Sequence, residues 1–427
     1  MIIAPTEQNA PNEGSDPAEL LIKEARQKAR KRRLRLGVFL LAIVVLAAAV
    51  IAVLTGPTST HRPTKAGTGD ALGAKYTLNS VANLAGSNTL TASGSRIWVT
   101  INRESPMKNF FAVTELNASD GSLVRVIQDK GTKPLGNEKH GRSGDLTEPQ
   151  TVTVSGSHLW VTDDQYGKVA EFDSNNGSLV RVIDATPDGF EDPGSVAVSG
   201  GHAWVANNQD GANSVVELNA NDGSLIKVLR SKSYGFSHPT FIAASDGRVY
   251  VLNGDGDSVT EMNARTGALI RVINARAGCC AYSNSTFEWA EPVEFAVSGS
   301  HLWLADEHAY ANGGEQVSSI VELNAYSGSL ERVIKLNRSG ITNVQAMAIS
   351  GGHVWLQEGG NSIRELNASN GSLVRTINTK LDPKGFNSSD GLAVGDGNVY
   401  VLNIYSGQKG SVTVISATSG KIVRVIQ

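Results

Sequence analysis

The chain has 427 residues, 45 of them glycine, with 38 Lys and Arg, 41 Asp and Glu, and a formal charge of −3. Residues 1–36 hold eight basic and five acidic side chains, which leaves 30 basic and 36 acidic for the rest. That acidic balance argues against a large domain that binds nucleic acid or an anionic membrane electrostatically, and many Gly with few Met and Phe argue against a helical bundle.

In chain order, residues 1–36 come first: a polar stretch with the composition of a disordered segment, then a basic cluster from Lys28 to Arg35. From Gly37 to Leu54 follow 18 residues without a charged or strongly polar side chain, GVFLLAIVVLAAAVIAVL. As a helix they would span roughly 27 Å, close to the thickness of a bilayer core. Excess Lys and Arg on one flank retains that flank in the cytoplasm. The run therefore reads as a single transmembrane helix over 37–55 in the plasma membrane, N-terminus cytoplasmic and the remainder extracytoplasmic. A cleaved secretory signal is the other reading, since Ala47–Ala49 and Ala52 are small; the long preceding segment speaks against it. Either way the large domain is exported. Residues 56–84 read as a polar, flexible linker.

From residue 85 to 427 the chain repeats itself. One half-unit, ELNASDGSLVRVI from Glu115, recurs from Glu171, Glu217, Glu261, Glu322, Glu365 and Val414. The other, VTVSGSHLWVT from Val152, recurs from Leu90, Val196, Ile242, Phe295, Met347 and Leu392. Seven of each alternate. Each half-unit is a β-hairpin: β-branched runs flank a turn that ends in Gly (Gly121, Gly177, Gly223, Gly267, Gly328, Gly371, Gly420) or a Ser-Gly or Asp-Gly turn. Four antiparallel strands per unit, A to D in chain order, repeated seven times, predict an all-β, seven-bladed propeller.

Strand A is small and apolar, as an innermost strand must be. Strand B carries one large aromatic per unit (Trp98, Trp160, Trp204, Tyr250, Trp303, Trp355, Tyr400), which reads as packing between blades. Six copies place Glu at the start of strand C, and all seven place Arg or Lys four residues after the turn Gly. These would pair across the C–D hairpin, each worth a few tenths of a kcal/mol where exposed. His158, His202, His301 and His353 recur beside the A–B turn, one per blade, as part of the repeat.

The unit P-x-x-x-A-V-S-G-S-H-L-W-V-T…V-x-E-L-N-A-x-x-G-S-L-V-R-V-I resembles the YVTN/NHL-type bacterial β-propeller repeat and, more distantly, the streptogramin lyase-like propellers. The resemblance implies the fold and leaves activity open, because this architecture serves binding scaffolds, lyases and lactonases alike. No segment carries the lyase group's catalytic histidine pattern convincingly.

Length variation falls in the B–C loops and D–A connections, which leave an up-and-down blade at one end of the disk. Insertions on one face of a repeat array mark a recognition face. The longest are Gln128–Thr147 and Asn274–Glu291. The second holds both cysteines, Cys279 and Cys280, with Tyr282, Phe287 and Trp289, and is the candidate ligand-binding loop. Adjacent cysteines outside the cytoplasm can close a vicinal disulfide; two ordinary thiols or an intermolecular bridge are the alternatives.

The mouth of the central channel is a second candidate. Glu148, Asp192, His238, Glu291 and Asp390 precede strand A, and Asp163, Asn207, Asn253, Asp306, Glu358 and Asn403 follow the strand-B aromatic. Oxygen donors around one entrance suit Ca²⁺ or Mg²⁺, whereas Asp or Asn at a strand end also simply caps a turn. Asp306, Glu307 and His308 form the most titratable loop trio. The leading expectation is a membrane-anchored binding or scaffold module for a protein, glycan or small ligand. The competing one is a metal-dependent lyase or lactonase-type hydrolase at the channel.

Overall fold

The computed structural model describes residues 87–103, 110–128, 146, 148–163, 167–184, 189–190, 192–208, 213–274, 292–311, 315–336, 344–358, 362–378, 391–403 and 410–426. The apolar run at 37–54 lies outside them. Among the described residues no helix is long and apolar enough to cross a membrane.

Among the described residues, 28 strands form seven four-stranded antiparallel sheets, each in simple chain order. Blade 1 consists of A (Ser87–Ser93), B (Arg96–Arg103), C (Phe110–Asn117) and D (Leu123–Gln128). Blades 2 to 7 cover 149–184, 193–229, 239–274, 292–335, 344–378 and 391–426. The A strands lie side by side around the ring, each touching the A strand of the next blade, and that of blade 7 touches that of blade 1. Each blade is one continuous segment, so the ring closes without a shared strand.

Burial falls outward from this inner ring. In blade 2, strand C (Lys168–Asp173) is buried nearly throughout, while strand D (Leu179–Asp184) exposes Leu179 and Val180. The core lies between blades. Trp98 shares a buried cluster with Val152, Val154 and Leu159 of blade 2. Tyr250 does so with Phe295 and Val297 of blade 5, and Tyr400 with Leu90 and Ile97 of blade 1. Each such aromatic removes about 150–250 Å² from water, about 4–6 kcal/mol before entropy is counted. Polar ties run alongside: Thr100 Oγ1 donates to the carbonyl of Gln150 (3.1 Å) and Thr153 Oγ1 to that of Val196 (2.9 Å).

The C–D hairpins follow one plan. The turn Gly has positive φ (73° at Gly121), and its N–H donates to the carbonyl of the last strand-C residue. The register slips by one residue directly after the Glu of strand C, so strand D carries a bulge at Val124 and its equivalents.

The Glu–Arg ladder departs from the expectation of exposed pairs. All six carboxylates are buried, from Glu115 at 1% exposure to Glu365 at 0%. Each is held by two basic side chains: Glu115 by Arg96 (2.8 Å) and Arg125 (2.7 Å), Glu171 by His158 (2.7 Å) and Arg181 (2.9 Å). The strand-D cation then reaches the turn of the next blade, as Arg125 Nη2 donates to the carbonyl of Asn175 (2.7 Å) and Arg181 Nη2 to that of Asn221 (2.8 Å). The ladder is therefore an inter-blade staple, and the recurring histidines belong to it.

Candidate functional site

The two ends of the disk differ in kind. Every A–B turn has two residues and every C–D turn five. At the opposite end, B–C loops run from three to seven residues and D–A connections from eight to twenty. All adaptable chain length lies at that second end.

Blade 5 differs most from the other blades there. Its strands B (His301–Ala311) and C (Glu315–Asn324) have 11 and 10 residues, where blades 2, 3, 4, 6 and 7 have six in each. The excess forms a hairpin that projects from the loop-rich end, with pairing continued to Ala311↔Glu315. Asp306, Glu307 and His308, expected in a loop, lie in strand B of this hairpin at a register shift between Asp306 and Ala309. Blade 5 is also the blade that the 17-residue connection 275–291 enters.

That connection, with Cys279, Cys280, Tyr282, Phe287 and Trp289, lies outside the described residues, as do Glu291 and Asp390. The other three channel-mouth candidates sit at corners leading into strand A. Glu148 N–H donates to Asp163 Oδ2 (3.1 Å). Asp192 (φ 61°) accepts at its carbonyl from Asn208 N–H (2.8 Å). His238 (φ 52°) donates its N–H to Asn213 Oδ1 (2.8 Å) and accepts from Gly254 N–H (2.9 Å). Asp192 and His238 both precede proline, where a left-handed conformation is costly, so these hydrogen bonds hold the corners in place. All three side chains are partly exposed.

Of the residues after the strand-B aromatic, Asn207, Asn403 and Glu358 tie the end of strand B to neighbouring segments. Asn207 Nδ2 donates to the Gly189 carbonyl (2.8 Å) and Ser214 Oγ (2.7 Å), and Asn403 Nδ2 to Thr413 Oγ1 (2.9 Å). Glu358 pairs with Arg364 and accepts from Ser362 Oγ (2.6 Å), both beyond the turn that follows it. Burial of Glu358 raises its carboxyl above the usual range, against the pull of those partners.

Two features of blade 5 escaped sequence reasoning. Glu294, in the innermost strand, is fully buried: Oε1 accepts from Phe295 N–H (3.1 Å) and Oε2 has no hydrogen-bond partner among the described residues. Burial pushes this carboxyl well above the carboxylate range. The signal was an acid in a strand whose counterparts are apolar or hydroxylic. At the turn-rich end, His301, Glu322 and Glu331 bring one metal-type donor atom each to within 4.8 Å of one another, the single group of this kind among the described residues.

These observations define a class, a repeat-built seven-bladed β-propeller with one uniform end and one variable end. The family described as outer membrane protein assembly factor BamB matches residues 165–321, from blade 2 into blade 5 and just over a third of the chain. Among solved structures the chain is similar to Kuenenia stuttgartiensis hydrazine synthase, at 14% identity and TM-score 0.56, covering 79% of this chain and 97% of that one. It is similar also to the Neurospora crassa Pan2 WD40 domain, at 9% identity and TM-score 0.52, covering 78% and 89%. The computationally designed Ika8 protein matches at 13% identity and TM-score 0.52, covering 80% and 87%. At such identities the likeness is one of fold alone. None of the curated proteins matches the chain.

Proposed function

We propose that this protein is a membrane-anchored, extracytoplasmic binding or scaffold module of the YVTN/NHL repeat type, which holds a protein partner on its loop-rich end around blade 5. The observation that carries this reading is the projecting 301–324 hairpin beside the entry of the 17-residue connection, on a disk whose other end is uniform. A protruding two-stranded ribbon next to a long loop offers main-chain edges and side chains to a partner. The match to a family described as an assembly factor favours a protein among the ligand classes. The charge asymmetry around 37–54 supports the anchor and its orientation.

The test is cross-linking in intact membranes of the source cell. A full chain whose residues 275–291 are replaced by a copy of the nine-residue 230–238 connection should lose the cross-linked protein that the unaltered chain yields. Identical products from both chains would remove the basis of the reading. A C-terminal alkaline phosphatase fusion should be active, as an extracytoplasmic propeller requires.

A further inference from the structure

The repeat supplies its own control for an unusual group in blade 5. In four blades the buried Glu of strand C meets a His at the start of strand B: Glu171 with His158, Glu217 with His202, Glu322 with His301 and Glu365 with His353. In three of these the bulged residue of strand D is apolar and exposed, Val180, Ile226 and Val374. In blade 5 it is Glu331. A bulge re-aims the extra side chain, and here it turns a second carboxylate onto the imidazole: His301 Nδ1 lies 2.7 Å from Glu322 Oε1 and 3.0 Å from Glu331 Oε2.

Two carboxylate oxygens thus converge on a ring nitrogen that can carry one hydrogen, and one N–H serves one of them well and the other poorly. The second oxygen of each acid is anchored elsewhere, Glu322 Oε2 by Arg332 and Glu331 Oε1 by Asn324 Nδ2 (2.8 Å). Outer partners of this kind orient the inward-facing donors. Charge agrees: with a neutral imidazole, blades 2, 3 and 6 balance one Glu against one Arg or Lys, whereas blade 5 sets two Glu against Arg332.

We propose that His301, Glu322 and Glu331 form a binding site for a zinc-class divalent cation on the turn-rich end, opposite the recognition face. One imidazole with two carboxylates is a donor set for zinc rather than calcium or magnesium, which take oxygen. Ligand bonds of about 2.0–2.2 Å place tetrahedral donors about 3.3–3.5 Å apart, so the two gaps at His301 Nδ1, 2.7 and 3.0 Å, would open by roughly 0.3–0.8 Å. Binding moves the one hydrogen of the neutral ring from Nδ1 to Nε2 by exchange with solvent, with no net proton released, and puts the metal where two oxygens now share one hydrogen. His301 and Glu331 are 44% and 27% exposed, which leaves the fourth position open to water or to a donor from another molecule.

Zinc equivalents and affinity are read on the full chain, in detergent, by competition with a chromophoric chelator. Glu331→Val, which installs the residue of blades 2 and 6 on the surface, should remove one equivalent or weaken it at least tenfold, with an unchanged melting temperature in chelator. Val374→Glu, beside His353 and Glu365, should add one equivalent. Zinc binding of the same stoichiometry and affinity in wild type and Glu331→Val would overturn the site, as would no zinc bound by the wild-type chain.

Discussion

Gly121 and Ile426 meet across the seam of the ring: a Cβ on Gly121 would stand 2.6 Å from Ile426 Cγ1. Gly121 belongs to the C–D turn of blade 1 and Ile426 to strand D of blade 7, so the first and last blades touch here. The same contact recurs around the disk, with Gly177 against Arg125 and Ile127, and Gly223 against Arg181 and Ile183. The turn glycine is thus required twice, by its positive φ and by the preceding blade. Gly94, at φ 52° with nothing within 4 Å of its Cβ position, separates the two requirements.

Gly121→Ala should therefore cost about 2–4 kcal/mol, the left-handed penalty of about 1–2 kcal/mol plus that of displacing a packed side chain. Gly94→Ala should cost only the first part. Urea midpoints of both variants check this, and equal losses would show that the close approach contributes nothing.

Since the seam has the same contacts as other blade junctions and shares no strand, the position of the chain ends should be immaterial to the fold. The nine residues 230–238 carry the chain from strand D of blade 3 to strand A of blade 4. A copy of them joining 427 to 87, with new ends opened in 185–191, should give a propeller whose melting temperature lies within a few degrees of the same span unpermuted. A drop of tens of degrees would mean that the seam depends on its own termini.

The buried staples yield a prediction with an internal control. Arg181→Met leaves Glu171 buried with His158 alone, while Arg424→Met in blade 7 leaves no buried carboxylate behind, because Val414 stands at that position. Removing one partner of a buried pair costs about 3–5 kcal/mol, less where the partner is part-exposed, as Arg181 is at 22%. About 2–3 kcal/mol is expected for Arg181→Met and below about 1 kcal/mol for Arg424→Met. Burial already raises the Glu171 carboxyl, against the pull of Arg181 and His158. Without Arg181 it rises further, so the loss should shrink as pH falls and Glu171 takes up its proton. A loss equal at pH 4 and pH 7.5 would exclude the buried charge as its cause.

How much of this was legible from sequence follows from what repeats express. Blade number, strand order, the aromatic stripe and the unequal ends were readable because each is set by local pattern and by spacing between copies. The partners Glu115 and Arg125 were readable from the hairpin, but their burial was not, since the cover comes from the next blade's turn at Asn175. The histidines illustrate the same limit. A basic side chain stands at the start of strand B in six blades, as Arg96, His158, His202, Arg248, His301 and His353. That alternation of Arg with His signalled a charge partner, and only the register shows it to be the strand-C Glu. Glu331 is the one acid where the other six blades have Val or Ile, but which side chain it meets depends on a one-residue bulge.

Glu294 gives the last prediction. Its carboxyl is buried with no counter-ion among the described residues, and burial holds its pKa well above the usual range. In the unfolded chain it titrates near the ordinary value of about 4.3. Between that value and the raised folded one, the folded state binds a proton that the unfolded state has released, so stability falls as pH rises. Its contribution is fully present below the unfolded value and is lost as pH passes through the folded one. Glu294→Gln keeps the acceptor for Phe295 N–H and removes the ionisation. The stability of the variant relative to wild type should therefore increase as pH rises above about 5 and level off once the folded carboxyl has ionised, read as the difference in urea midpoint at each pH up to about pH 9. A difference that stays constant over this range would show that Glu294 is already ionised in the folded ring, with a compensating partner drawn to it.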